Sequence, residues 1–242
     1  MALGSDTHGP VWTVPIENVP ALATIWTQVK SLCSVPADFD TQQFLAHICK
    51  PELAAASAAI EVMPSTGMIA QEYLARDAYL AVPKPEYAWS AEQIPADLPD
   101  TRRKPRINPR SGVVRMGPGM DWQQRLALRD LLSEFFNGQV LESGNFLYPP
   151  GGFKEWHTNM DGEPGWRMYV IHKGAGRSFF RYICPKSMVL KTMEDVDGQI
   201  NIFRVGPDLP FWHAVKSIDA YRYSKGFIIP DSWMDALGRY LS

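Results

Sequence analysis

Trp166-Arg167-Met168-Tyr169-Val170-Ile171-His172-Lys173-Gly174-Ala175-Gly176-Arg177-Ser178-Phe179-Phe180-Arg181-Tyr182 sets two β-prone runs on either side of a glycine turn. Aromatic and β-branched residues crowd both runs. Gly174-Ala175-Gly176 reads as a hairpin turn and not as a phosphate loop, because no helix follows it. The same texture extends outward on both sides. Further runs lie at 139–148, 153–158, 199–205, 211–217 and 221–229, and Asp195-Val196-Asp197-Gly198 reads as another turn. About seven short strands at this spacing predict an antiparallel sandwich or barrel.

Upstream of Gly138 the periodicity changes. Leu22, Ile25, Trp26 and Val29 recur at helical spacing over 20–32. Asp40 or Thr41 is a good N-cap for a second helix carrying Phe44, Leu45 and Ile48, with Pro51 as its interruption. Ala54 to Met63 is helix-prone. A short helix is expected over 71–80, then a proline-dense stretch over 82–111. A further helix starts at Asp121, which with Gln124 resembles a capping box, and runs to about Asn137, with Gly138 as its C′ residue. Trp12, Val14 and Ile16 alternate like a strand that Pro15 confines to a sheet edge. Ser232 and Asp235 are spaced like a capping box for a closing helix over 231–242. The whole is read as one α+β, mainly-β domain. Residues 1–137 form a helical flanking region, 138–230 a barrel core and 231–242 the final helix.

Bulk composition excludes several classes. A hydrophobic fraction of 45% and a charged fraction of 21% suit a globular chain of 242 residues. A net charge of −2 gives no reason to expect nucleic acid or an anionic membrane as partner. Cys33, Cys49 and Cys184 have no metal-ligand spacing; they read as buried small side chains in a reducing compartment, so the cytoplasm is expected. No run is long enough to span a bilayer, and the first residues lack the pattern of a signal peptide. Arg102 to Arg110 packs five cations into nine residues, which reads as a solvated loop or, more sharply, as a flap over an anionic substrate.

The chemistry-bearing residues lie in the β-rich half. His157 and position 159 have i, i+2 spacing, so on a strand they point to one face. His213 follows much later in Phe211-Trp212-His213, and Arg222 and Ser224, nine and eleven residues on, again share a face. Trp156 and Trp212 fall on the opposite faces and read as core; His47 and His172 read as packing or surface histidines. Lys225 alternates away from Arg222, and Arg167, Tyr169, Arg181 and Tyr182 are candidates for substrate or cosubstrate contacts.

In order and spacing, these residues resemble the Fe(II)/2-oxoglutarate-dependent oxygenase superfamily, the prolyl-hydroxylase-like dioxygenases, over roughly 139–229. That resemblance implies a double-stranded β-helix (jelly-roll, cupin-like) core. It implies Fe(II) at His157, His213 and position 159, with 2-oxoglutarate anchored by the guanidinium fork of Arg222 and by Ser224. It implies O2-driven hydroxylation of a C–H bond with succinate and CO2 as coproducts. Desaturation or ring closure would branch from the same chemistry.

One position departs from the pattern, since Asn159 stands where the family has a carboxylate. Either Asn159 coordinates through its amide oxygen, or Asp161 reaches the metal, or the position stays open as in the family's halogenases. Asn159 or Asp161 is favoured, because Asn is bulky enough to obstruct a halide. The other reading is a metal-free jelly-roll that binds a ligand or partner. Oxidation of nucleic acid rests only on the cations of 102–110. The expected substrate is a small organic molecule, such as an amino acid or a metabolite built from one.

Overall fold

The computed structural model describes residues 10–62, 105–116, 122–159, 164–206 and 211–241. Two antiparallel sheets face each other across an enclosed space. The larger holds, in spatial order, β1 (Val11–Pro15), β9 (Gln199–Val205), β6 (Gly165–Lys173), β11 (Arg222–Ile229), β4 (Leu141–Tyr148), β3 (Val114–Arg115) and β2 (Arg106–Ile107). The smaller holds β5 (Phe153–His157), β10 (His213–Ser217), β7 (Ser178–Ile183) and β8 (Leu190–Glu194). From β4 to β11 the chain changes sheet at every connection except β7 to β8. That winding is a double-stranded β-helix, and with its flanking helices the chain is an α+β, mainly-β jelly-roll, as its strand texture predicts.

The winding corrects one local expectation. β6 pairs with β9 and β11, not with β7. The Gly174–Gly176 turn therefore carries the chain from one sheet to the other and closes no hairpin. The Asp195–Gly198 turn does the same between β8 and β9. Among the described residues β1 lies at the sheet edge, paired with β9 alone, where Pro15 costs no ladder bond on its outer side. The flanking region thus contributes strands as well as helices, since β1, β2 and β3 all extend the larger sheet.

The helices are α1 (Ala23–Ser31), α2 (Thr41–Ile48), α3 (Pro51–Ala59), α4 (Trp122–Phe135) and α5 (Trp233–Leu237). Asp40 caps α2 by accepting from the Gln43 amide at 2.9 Å. α2 ends before Pro51, the interruption the sequence predicts, and Pro51 opens α3, because a first-turn amide has no partner to lose. At the end of α4, Asn137 and not Gly138 takes the left-handed conformation, with φ 48°. Ser232 makes no side-chain cap on α5, so the expected capping box there does not form. The expected helix over 71–80 and the Asp121 cap lie outside the described residues.

Strand alternation sorts the core into layers. The outer face of the larger sheet presents Met168, Val170, Ile200, Ile202, Phe227 and Ile229 to α1, α4 and α5, including Leu128, Leu132 and Trp233. Truncating one of those leucines to alanine costs about 2–5 kcal/mol in such a setting. The outer face of the smaller sheet buries Phe153, Trp156, Phe179, Trp212 and Ala214 under Leu53 and Ile60. Both tryptophans thus pack outside the sandwich, as their alternation with the histidines predicts. Inside it, Tyr148, Phe180, Phe203, Phe211 and Val215 form a third cluster that stops short of filling the space. Cys33 and Cys184 are half-buried and Cys49 is exposed, and all three are free; the expectation of fully buried thiols is not met.

Candidate metal and anion site in the jelly-roll cavity

The unfilled space is a cavity of about 510 Å3 between the two sheets. Its wall includes His157, Asn159 and His213 from the smaller sheet's side and Arg167, Arg222 and Ser224 from the larger. Asn201 and Tyr169 also line it. Residues far apart in sequence meet there because inward positions alternate along each strand.

The two histidines are direct cross-strand partners, His157 on β5 opposite His213 on β10. Their ring centroids are 4.1 Å apart. Each ring is fixed by the same device. His157 Nδ1 donates to the Glu155 carbonyl at 2.7 Å, and His213 Nδ1 donates to the Phe211 carbonyl at 2.8 Å. Those bonds select the tautomer that keeps the proton on Nδ1, leaving Nε2 as the basic nitrogen of each ring. Burial is the main force that disfavours the charged form of both. His157 is pushed well below the ordinary histidine value, first by burial and then by His213 and Lys154. Burial takes His213 down to about 4 against its Phe211 bond, with Lys154 adding to the fall. Two neutral imidazoles side by side offer two lone pairs.

Asn159 follows β5 in the left-handed conformation, with φ 55°. Its Nδ2 sits 3.0 Å from His213 Nε2. A half-turn of the carboxamide would bring Oδ1 to that place and offer a third, neutral donor atom. Among the described residues no group of three His, Cys, Asp or Glu is placed to hold a metal ion. Asp161 lies outside the described residues.

β5 reaches this geometry through a bulge. Val215 pairs with Lys154 while His213 pairs with His157, so β5 spends three steps where β10 spends two. The extra residue puts Lys154 and His157 on the same inner wall, while Phe153 and Trp156 face out. Lys154 pairs with Glu155 Oε1 at 2.8 Å.

Arg222 departs from the fork expected of it. Its side chain is 1% exposed and faces Asp195, 0% exposed, with Nε to Oδ2 at 2.7 Å and Nη2 to Oδ1 at 3.3 Å. Ser178 Oγ donates to the same Oδ2 at 2.8 Å. The ring of Tyr148 lies 5.0 Å from the guanidinium. Burial alone would lower the Arg222 pKa, but the Asp195 charge and its hydrogen bond more than offset this and raise it. The fork is therefore closed on Asp195, and among the described residues Nη1 has no hydrogen-bond partner. Ser224, 4% exposed, shares its wall. Lys225 turns away to Asn145 Oδ1 at 2.7 Å, as alternation predicts.

The remaining candidates divide. Arg167 and Tyr169 face the cavity, and Tyr169 crosses β11 where Gly226 has no side chain; a Cβ there would meet the ring at 2.6 Å. Arg181 faces outward, bonding the Ile60 carbonyl at 2.8 Å and pairing with Glu61, so it is not a cavity contact. Tyr182 points inward but packs on Phe211 and Phe180 in the apolar cluster. His172 bonds Asp197 at 2.7 Å on the outer side, and His47 bonds the Asn108 and Ser111 carbonyls at 3.0 and 3.2 Å.

Sequence reasoning missed Asp195, Lys154, Arg115 and Asn201 on or behind this wall. Asp195 read as a turn residue, Lys154 depends on the bulge, and Asn201 Nδ2, 1% exposed as a residue, lacks a hydrogen-bond partner among the described residues.

No protein-family model and no curated protein sequence matches the chain. Solved structures that resemble it include a prolyl-4-hydroxylase from Pseudomonas putida, 21% identical, covering 45% of this chain and 61% of that one at a TM-score of 0.29. AviO1 from Streptomyces viridochromogenes Tue57 is 12% identical, covering 46% and 61% at 0.32. A cupin-superfamily protein from Desulfitobacterium hafniense DCB-2 is 13% identical, covering 38% and 79% at 0.26. The chain spans 61% of the length of the first two. The jelly-roll assignment rests on strand order, and no residue role is taken from these likenesses. Among the described residues no helix is long and apolar enough to cross a membrane.

Proposed function

We propose that the chain is a non-haem Fe(II)/2-oxoglutarate-dependent dioxygenase that hydroxylates a C–H bond of a small organic substrate and releases succinate and CO2. The observation that carries this reading is the in-register His157–His213 pair, with both Nδ1 atoms held by backbone carbonyls on the wall of a cavity. Neutral imidazoles with Nε2 unprotonated fit a divalent metal. Fe(II) with bound 2-oxoglutarate would supply the O2-derived oxidant for the C–H bond. His157 and His213 would hold it, with Asn159 or Asp161 as third donor.

The chain's own part is to orient and to exclude water. Arg222 Nη1, buried and without a partner among the described residues, fits one oxygen of the cosubstrate's distal carboxylate, and the Ser224 hydroxyl fits the other. Asp195 holds the guanidinium plane still, so Nη1 is aimed before the ligand arrives. Phe180, Phe203 and Val215 keep that wall dry. We read the chain as one functional unit, because its N-terminal strands complete the same sheet, and its free thiols agree with a reducing compartment such as the cytoplasm.

The test is anaerobic. Fe(II) and 2-oxoglutarate added to apo-protein should give the visible metal-to-ligand charge-transfer band. His157→Ala should abolish it, and Asn159→Ala and Asp161→Ala should identify the third donor. A protein that shows no band and retains no metal would instead be a binding module. That second reading is favoured by one feature, the neutral amide at position 159 beside His213.

A further inference from the structure

β5 is an edge strand of the smaller sheet, while β3 and β2 extend the larger one. Strands β3 and β5 each contribute a cation with solvent exposure to the cavity wall, and these two residues mark its mouth, one on each lip. Arg115 of β3 is exposed and lines the cavity, with its guanidinium 5.8 Å from the Phe146 ring. Lys154 of β5 lines it from the opposite sheet. Among the described residues no carboxylate lies on the cavity wall. Glu155 and Asp195, which pair with Lys154 and Arg222, are outside that wall.

A second observation is independent of the cavity. Arg106 and Arg115 are direct cross-strand partners in the two-residue ladder of β2 and β3. Like charges set opposite each other destabilise a strand pair. Among the described residues neither arginine has an ion pair to offset this. An anion between the lips would remove that cost.

We propose that the substrate is a small organic anion whose carboxylate or phosphate group is held at the mouth by Arg115 and Lys154, with Arg106 reinforcing the field. This rests on the oxygenase reading and adds the substrate class to it. The mouth group is separate from the Arg222 end, where the guanidinium is buried against Asp195. An anion anchored at the lips places the rest of the molecule inward, past Lys154 toward the His157–His213 pair.

The experiment uses metal-free full-length protein and calorimetric titration with two probes, benzoate and inorganic phosphate, which separate a carboxylate preference from a phosphate preference. One probe should bind, and more weakly as salt rises, because exposed charges are screened. Arg115→Gln and Lys154→Gln should each weaken it about 10-fold, the size of one lost charge-assisted hydrogen bond. The proposal is overturned if neither probe binds, or if binding survives in the Arg115→Gln/Lys154→Gln double variant. It is equally overturned if binding is lost only in Arg222→Met. The Fe(II)/2-oxoglutarate band, measured on the Arg115→Gln and Lys154→Gln variants, should remain. Its absence in the wild type would strike the oxygenase reading alone, since anion binding is read without metal.

Discussion

The two ends of the cavity hold buried nitrogen bases in opposite states. At one end His157 and His213 are neutral, because burial disfavours their cations and, among the described residues, no carboxylate stands beside them on the cavity wall. At the other end Arg222 is as deeply buried and stays charged, because Asp195 lies at 2.7 Å. Desolvation acts with the same sign on both. The outcome turns on whether an opposite charge is built in, and that decides what each end can receive. The histidine end offers lone pairs and suits a cation. The arginine end is already balanced and offers a single aimed N–H.

Breaking the balance at the arginine end should have the largest effect. Arg222→Met leaves the fully buried Asp195 carboxylate without its partner, and urea unfolding should show a loss on the order of 3–5 kcal/mol. Adding Asp195→Asn should recover most of it, and an unchanged loss would mean that packing, not charge, is what Arg222 supplies. The next effect is read by pH at the histidine end. His213 titrates at about 4 when folded against an ordinary 6.5, so between those values the unfolded chain binds the extra proton. Stability should therefore fall as pH drops from 6.5 toward 4, on the order of 3 kcal/mol from this residue. His213→Gln should flatten that part of the profile, and an unaltered slope would refute the assignment.

Smaller effects sharpen the contrast. Asn159→Asp would put a carboxylate beside His213, and Fe(II) affinity should rise about 10-fold or more, judged by metal titration. Equal affinity would place the third donor elsewhere, with Asp161 next in line. Ser224→Ala should weaken 2-oxoglutarate binding by about 1 kcal/mol, a neutral hydrogen bond, without changing iron affinity. A change in both would merge the two ends into one coupled site.

Much of this was legible in the sequence, for reasons that differ between residues. The strands announced themselves through alternation, and alternation alone put Trp156 and Trp212 behind the histidines and Lys225 behind Arg222. The His157–His213 meeting followed from the resemblance, since no local signal links positions so far apart. What stayed hidden depended on pairing across the fold. Asp195 looks like any turn aspartate until β8 and β11 bring it against Arg222. The sheet change at Gly174–Gly176 is invisible because the same glycines would serve a hairpin. Asn137 took the left-handed position that Gly138 was expected to fill, since asparagine tolerates it and Gly138 lies against Pro230.

The bulge in β5 has a consequence that reaches beyond its own strand. It works as a change of phase, so that one short strand reads two interleaved alternations, one set by Phe153 against α3 and one by Trp156. A single-residue deletion at Glu155 would restore one phase throughout. Either Lys154 would then turn out toward solvent or His157 would turn out toward the apolar layer under α3. The cation at the mouth and the imidazole inside are thus tied to one inserted residue, and a relative lacking it would have to give up one of the two.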